Sequence, residues 1–317
     1  MKILVSGGAG FIGSNFIRKV LAKHGDWEII NLDKLTYAGN LENCKDFEKN
    51  KNYSFVRGDI CNFGLVKKLL KDCNIAVNFA AETHVDRSIE DPEKFVRTDV
   101  LGTQRLLEAC RLLDVEKFVQ ISSDEVYGSI DKGVFNEDSP LLPNSPYSAS
   151  KAAADMLVRA YNRTYGLFTI ITRSSNNYGP YQHPEKFIPK MITNLLQRKK
   201  IPLYGSGEQI RDWIHVYDNC EAIELVIRKG KKGEIYNIGG ECERRNIEVA
   251  RMVAQLMGFD ETWIESVADR KGHDFRYALS SEKIKKIGWR RKIGFEEGMA
   301  DTVKWYEKNR EWWEKLV

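Results

Sequence analysis

Tyr147 and Lys151 stand four residues apart in a segment, Tyr147–Tyr165, that reads as a helix, so their side chains share one face a turn apart. A phenol with a pKa near 10 is a poor base at neutral pH, short by about 4 kcal/mol at 1.36 kcal/mol per unit. An adjacent ammonium, joined by the positive charge of an oxidised cofactor, can recover much of that deficit and make phenolate accessible. Upstream, Ser122-Ser123 close a strand-like run and Asp124-Glu125 follow at once. A serine hydroxyl there can hold a substrate oxygen at the tyrosine. Two neighbouring carboxyls can divide acid from base work if their surroundings keep one protonated and the other ionised. Each feature has an ordinary alternative, since isolated YxxxK pairs are often surface residues and adjacent acids often form solvated turns.

A glycine loop supplies context. Gly7-Gly8-Ala9-Gly10-Phe11-Ile12-Gly13 satisfies GxGxxG through glycines 8, 10 and 13, and GxxGxxG through 7, 10 and 13. It lies between a predicted strand and a predicted helix, as a pyrophosphate-binding loop requires. The helix N-terminus offers unpaired N–H groups and positive dipole charge to the phosphates. About 20 residues on, the second strand ends at Asp33, whose carboxylate can accept both ribose hydroxyls and repel a 2′-phosphate, favouring NAD over NADP. Lys34 softens that preference without reversing it. Asp33 could instead be an N-cap or surface acid. Asp59 could reach the adenine amine or simply serve its turn.

The elements that position these groups alternate. Strands are predicted at Lys2–Ser6, Glu28–Leu32, Tyr53–Arg57, Ala76–Ala80, Phe118–Ser122 and Phe168–Arg173, and helices at Phe11–Lys23, Gly64–Lys71, Pro92–Leu113 and Tyr147–Tyr165. That rhythm implies an α/β fold, a doubly wound parallel Rossmann sheet with a smaller C-terminal substrate-binding lobe. Residues 1–175 form the expected NAD-binding domain and 176–317 the lobe, with 216–238 a helix–strand pair that can return to the sheet. Within the lobe, 176–180 reads as a turn cluster, Glu185–Gln197 as a helix and Phe295–Leu316 as one closing helix.

Composition excludes more than it proposes. The 317 residues carry 49 basic and 45 acidic side chains, a net +4 that gives nucleic-acid binding no support. No apolar run is long enough to span a bilayer, and Met1 leads directly into a strand, so a cytoplasmic protein is expected. Six scattered cysteines without a CxxC pair offer no metal or redox motif.

The glycine loop, the serines and Tyr147-x-x-x-Lys151 resemble the extended branch of the short-chain dehydrogenase/reductase superfamily. Within that branch, Ala80–Ser88, Ser122–Gly128, Asn176–Tyr181, Pro184–Phe187, Gly205–Trp213 and Gly272–Tyr277 are similar to the dTDP-glucose 4,6-dehydratases, across essentially the whole chain. The resemblance implies a lyase that converts dTDP-glucose to dTDP-4-keto-6-deoxyglucose and water, in deoxysugar nucleotide biosynthesis. Hydride passes from C4 to tightly bound NAD and back to C6. It implies Tyr147, Lys151 and Ser123 as the oxidation set, Asp124 as the acid at the C6 hydroxyl and Glu125 as the base at C5. Phe11, Ile12, Lys34, Thr36, Ile60, Ala80, Ala81, Thr98, Ser122 and Asn177 would join Gly7, Gly10, Gly13, Asp33 and Asp59 around NAD. His84, Ser123, Asn176, Lys186, Phe187, Tyr204, Arg211, Asn246, Arg270 and His273 would hold the sugar nucleotide. The family usually has threonine at Ser123 and proline at Lys271. The second departure loosens a turn beside the nucleotide base. Relatives commonly pair through the helices represented by Pro92–Leu113 and Tyr147–Tyr165, so a homodimer is expected. The alternatives are another dehydratase, an epimerase or a decarboxylase of the same branch, and, more remotely, a non-catalytic NAD-binding sensor.

Overall fold

The computed structural model describes residues 1–269 and 274–317. Seven strands form one parallel sheet: β1 (Lys2–Ser6), β2 (Glu28–Asp33), β3 (Tyr53–Arg57), β4 (Ile75–Asn78), β5 (Lys117–Ser123), β6 (Thr169–Ser174) and a later strand, Ile235–Ile238. Their spatial order is β3-β2-β1-β4-β5-β6 followed by Ile235–Ile238, whose Ile235 pairs with Ile171 and Ile238 with Ser174. The expected return segment does rejoin the sheet. Alternation decides which face each side chain covers. Ile3 and Val5 pack with Phe16, Val20, Ile223 and Val226 on one face. Leu4, Ala76 and Phe118 pack with Leu106, Leu107 and Val158 on the other. Both faces are buried, so these strands read as continuous apolar runs.

Helix boundaries follow local chemistry. The glycine-loop helix spans Phe11–Lys23 as expected, with Gly10 extended at its N-cap. Ser145 and Ser148 form a reciprocal capping box ahead of the helix Pro146–Tyr165, which ends on left-handed Gly166. The run Pro92–Leu112 is interrupted by a π-helical stretch, Val96–Gly102. Sequence periodicity gave no sign of it.

The rest of the chain supplies β7 (Asn176–Tyr178), β8 (Ile201–Tyr204), β9 (Ile210–His215), β10 (the strand Ile235–Ile238), β11 (Glu243–Arg245) and β12 (Ile264–Val267). β9 lies between parallel β7 and antiparallel β11, while β8 pairs with β12. The predicted turn at 176–180 is therefore corrected in part. Its first three residues pair with Trp213–His215, and only from Gly179, at φ +138, does the chain bend. The single closing helix is corrected too, because it stops at Lys308. The Asn309 side chain bonds the Trp305 carbonyl at 2.7 Å, and a short turn, Arg310–Trp313, follows. That break lets Trp313 return to the third core, where it packs with Met299, Val303 and Tyr306 and donates to the Tyr306 carbonyl. Among the described residues, no helix is long and apolar enough to cross a membrane.

Trp313 is fully buried. Trp313→Ala should cost about 3–5 kcal/mol through transfer and cavity terms. A clear fall in the urea unfolding midpoint is the expected result.

Candidate active site

The sheet order reverses between β1 and β4, where parallel α/β sheets open a crevice at their carboxyl ends. Gly7 leaves β1 at φ +74, and a Cβ there would lie 2.5 Å from the Ala80 nitrogen. A Cβ on Gly13 would lie 2.4 Å from the Gly7 carbonyl oxygen. Glycines 7, 10 and 13 line the resulting cleft, whereas Gly8 packs against Asn31 and Ile17. The GxxGxxG reading is thus the one that faces the cleft. With no side chain capping the helix, its first N–H groups remain suited to a pyrophosphate. This cradle fits NAD, whose nicotinamide, when bound, supplies a reversible hydride acceptor.

Asp33 stands at the far wall, with its carboxylate already accepting the Ala9 and Leu35 N–H groups, both within 2.9 Å. Burial raises its pKa, and those two bonds oppose the rise. Each oxygen keeps acceptor capacity for a ribose hydroxyl. Lys34 bonds Asp59 at 2.8 Å, so its charge is directed at that acid. Burial raises the Asp59 pKa, but Lys34 and the Cys61 amide outweigh it and the net shift is downward. Asp59 therefore fills its turn and lines the cleft as well. Phe11, Ile12, Thr36, Ile60, Ala80, Ala81, Thr98, Ser122, Tyr147 and Lys151 also line it. Asn177 does not. It lines the neighbouring cleft and bonds Ser174, Ser175 and Asn219.

That second cleft, of about 670 Å³, is within the usual range for small-molecule sites. His84, Asn176, Lys186, Phe187, Tyr204, Arg211 and Asn246 line it, together with Glu125. His84 adopts φ +84, a strained conformation for a side chain of its size. Arg211 donates to the carbonyls of Ile210, Asp274 and Phe275 and stacks on Tyr277 at 4.4 Å. Arg270 and His273 lie outside the described residues. Tyr147 lines both clefts, as do Thr83, Gln182 and Lys186. Thr83 lies within the Ala80–Ser88 motif legible in the sequence, whereas nothing in the sequence distinguished Gln182.

Around Tyr147 the charges sort themselves. Ser123 ends β5, hydrogen-bonds the Tyr147 phenol, accepts the Glu125 N–H and donates to Asp124. Burial pushes the phenol pKa up, the charges of Glu125 and Asp99 add to that, and the Ser123 bond opposes it. Lys151, one turn along the helix from Tyr147, is held on the strand beneath it. Its ammonium donates to the Ile121 carbonyl at 2.7 Å, and its charge acts on Asp99 and Asp155. Asp99, on the π-helical stretch, accepts from the Glu82 amide and Ser150, and burial lifts its pKa to about 6. Asp124 is 2% exposed, and its pKa lies well above the usual range because of burial, then the charges of Glu125 and Asp212. Among the described residues its Oδ2 has no hydrogen-bond partner. The half-buried Glu125 faces the second cleft. The adjacent acids thus occupy different environments.

Fold and site define an NAD-dependent enzyme of the Tyr–Lys type with a second cleft for its substrate. The chain belongs to the family described as GDP-mannose 4,6 dehydratase, whose model matches residues 4–302. It is 48% identical over its whole length to a dTDP-glucose 4,6-dehydratase of Streptomyces niveus, covering 96% of that protein. It is 50% identical to a low-salt glycan biosynthesis protein of Haloferax volcanii, over 96% of this chain and 98% of the relative. Among solved structures, DesIV, the dTDP-glucose 4,6-dehydratase of Streptomyces venezuelae with NAD bound, superposes with a TM-score of 0.98. That match has 50% identity and covers both chains completely.

Two outcomes follow from this geometry. Gly13→Ala forces a methyl onto the Gly7 carbonyl and should lower the NAD retained through purification about tenfold or more, a loss of 1.4 kcal/mol or above. Asp124 binds its proton more tightly folded than unfolded, where its pKa is about 3.9, so stability falls as pH rises from that value toward the folded one. Asp124→Asn never ionises. It should match the parent's melting temperature near pH 4 and exceed it at pH 7, by roughly 2–4 °C per kcal/mol relieved.

Proposed function

We propose that this protein is a dTDP-glucose 4,6-dehydratase that uses NAD without consuming it. One observation carries the reading: the tyrosine shared by the two clefts stands beside an acid held protonated and a second carboxyl open to the substrate side. Ser123 holds the sugar's C4 hydroxyl against Tyr147, whose phenolate form takes its proton as C4 is oxidised with NAD bound alongside. Lys151, anchored on the Ile121 carbonyl, supplies positive charge that favours the phenolate form of Tyr147 beforehand. The C4 ketone acidifies the C5 proton, and Glu125 removes it. Asp124 gives its proton to the departing C6 hydroxyl, which leaves as water. Glu125 then returns a proton to C5 as C6 is reduced, and the site resets as Tyr147 gives up the proton taken from the C4 hydroxyl and Asp124 regains one. The product is the 4-keto-6-deoxy sugar nucleotide. An epimerase needs no C5 base and no acid for a leaving group, so the Asp124–Glu125 pair favours elimination.

In this reading, residues 1–175 with the return segment 216–238 hold NAD, and 176–317 hold the sugar nucleotide. The separate third core and the rejoining β10 support that division. The protein acts in the cytoplasm. It forms a homodimer through the helices at 92–112 and 146–165, whose exposed apolar residues include Val96, Leu101 and Met156. Sedimentation at working concentration should give twice the 36.5 kDa chain mass, and monomer alone removes the dimer.

The reaction is tested by incubation with dTDP-glucose and no added NAD, scored by mass spectrometry. Loss of one water is expected, while an isomer of unchanged mass points to an epimerase instead. Glu125→Gln should lower kcat on the order of 10²–10⁴-fold, the usual worth of a general base. Full turnover by that variant removes Glu125 from the mechanism.

A further inference from the structure

The four groups assigned to chemistry come from two separate pieces of chain. Asp124 and Glu125 sit on the 3₁₀ turn Asp124–Tyr127, while Tyr147 and Lys151 sit on the helix Pro146–Tyr165. Between them, residues 128–145 form no helix or strand. The covalent connection is long and irregular, yet a proton donor and a base must meet adjacent carbons of one sugar. Something else fixes the helix against the turn.

A buried polar chain runs between the two. Asp155 lies one turn past Lys151 on the same helix face. Its Oδ2 accepts from Arg173 Nε at 2.9 Å and from Ser122, which lines the cofactor cleft, at 3.1 Å. Arg173 Nη1 reaches the Tyr127 hydroxyl at 2.8 Å, and Tyr127 donates to Asn237 of β10 at 2.9 Å. Asp155, Arg173, Tyr127 and Asn237 are each at most 1% exposed. Burying an ion pair is often no better for stability than packing apolar side chains in its place, so stability alone does not account for this one. A planar guanidinium does something an apolar pair cannot: its rigid fork fixes the angle between two acceptors, and a lysine could not reproduce that.

We propose that Asp155, Arg173 and Tyr127 are positioning residues that set the register between the helix bearing Tyr147 and Lys151 and the turn bearing Asp124 and Glu125. The proposal rests on the dehydratase reading and assigns these residues no contact with substrate. Through Asp155 the network holds the oxidation pair, and through Tyr127 it holds the elimination pair. The two halves of the reaction therefore depend on opposite ends of one guanidinium.

Tyr127→Phe removes the hydroxyl at the turn end, and Asp155→Asn weakens the helix end. Both variants should retain NAD and the parent KM, with kcat lowered on the order of ten- to a hundredfold by misalignment. The distinguishing readout is the kinetic isotope effect. With C5-deuterated dTDP-glucose it should rise in Tyr127→Phe, where deprotonation becomes limiting. With C4-deuterated substrate it should rise in Asp155→Asn, where hydride transfer becomes limiting. Lower melting temperatures with parental kcat and isotope effects in both variants would show a merely structural pair and overturn the proposal. If Asp155→Asn does not fold, Tyr127→Phe decides alone by the same criterion. Failure of the parent to release water is a separate result that removes the dehydratase reading itself.

Discussion

The site depends on how closely backbones approach at the carboxyl ends of β1 and β4. Gly7 leaves β1 so near Ala80 that no side chain fits between the two strands' exits, and Gly13 brings the first helical turn against Gly7 in the same way. The cleft floor is therefore backbone, which offers N–H groups and no bulk. Because all seven strands are parallel, every strand delivers its following loop to the same edge. Closeness at the first crossover therefore places Ala80–Thr83 and Ser122–Glu125 within reach of one ligand. Thr83 ends up lining both clefts. Separating β1 from β4 by even one methyl group would move the floor away from the walls that carry the chemistry.

The second constraint is electrostatic. Asp99, Asp124, Glu125 and Tyr147 are crowded into a region with little water, where several negative charges together are unfavourable. The structure resolves this by position. Asp124 is buried where its protonated form is favoured, and Glu125 takes the open side. Lys151 is held on a carbonyl, and its charge favours the ionised forms of Asp99 and Asp155. Burial, Glu125 and Asp99 all favour the phenol form of Tyr147, so its ionisation would draw on the positive charge of Lys151 and of NAD when that is bound. Proton transfer at C4 is thereby tied to having oxidant in place.

Much of this was legible in the sequence because local chemistry dictates it. The bounds of Phe11–Lys23 follow from the glycine before it, and those of Pro146–Tyr165 from Ser145, Pro146 and Gly166. The four-residue spacing of Tyr147 and Lys151 survives any tertiary detail. What could not be read depends on partners distant in the chain. Asn176–Tyr178 becomes a strand only because Trp213–His215 arrives beside it. Lys151 faces Ile121 because β5 passes under the helix. Asp33 shares its carboxylate with two backbone amides because the chain turns back at Leu35, whose φ is +57. Arg173 and Asp155 carry no motif, since neither residue type nor spacing announces a pair that exists only across packed elements.

Retention of the cofactor follows from the same packing. In the proposed reaction NAD ends each cycle as it began, so exchange would serve nothing. The walls of its cleft are tied together accordingly. Between cleft-lining Thr36 and Ala38, Tyr37 donates to the Thr83 carbonyl at 2.7 Å, and Arg87 stacks over its ring at 3.7 Å. Arg87 in turn pairs with Glu185 at 3.1 Å, while Lys186 bonds the Thr83 hydroxyl at 2.9 Å. Segments following β2, β4 and β7 thus brace one another at the wall of the cofactor cleft. Each exposed pair is weak alone, but together they link three loops at one edge of the cleft. Lys186 lines the substrate cleft as well, so the two clefts share this brace.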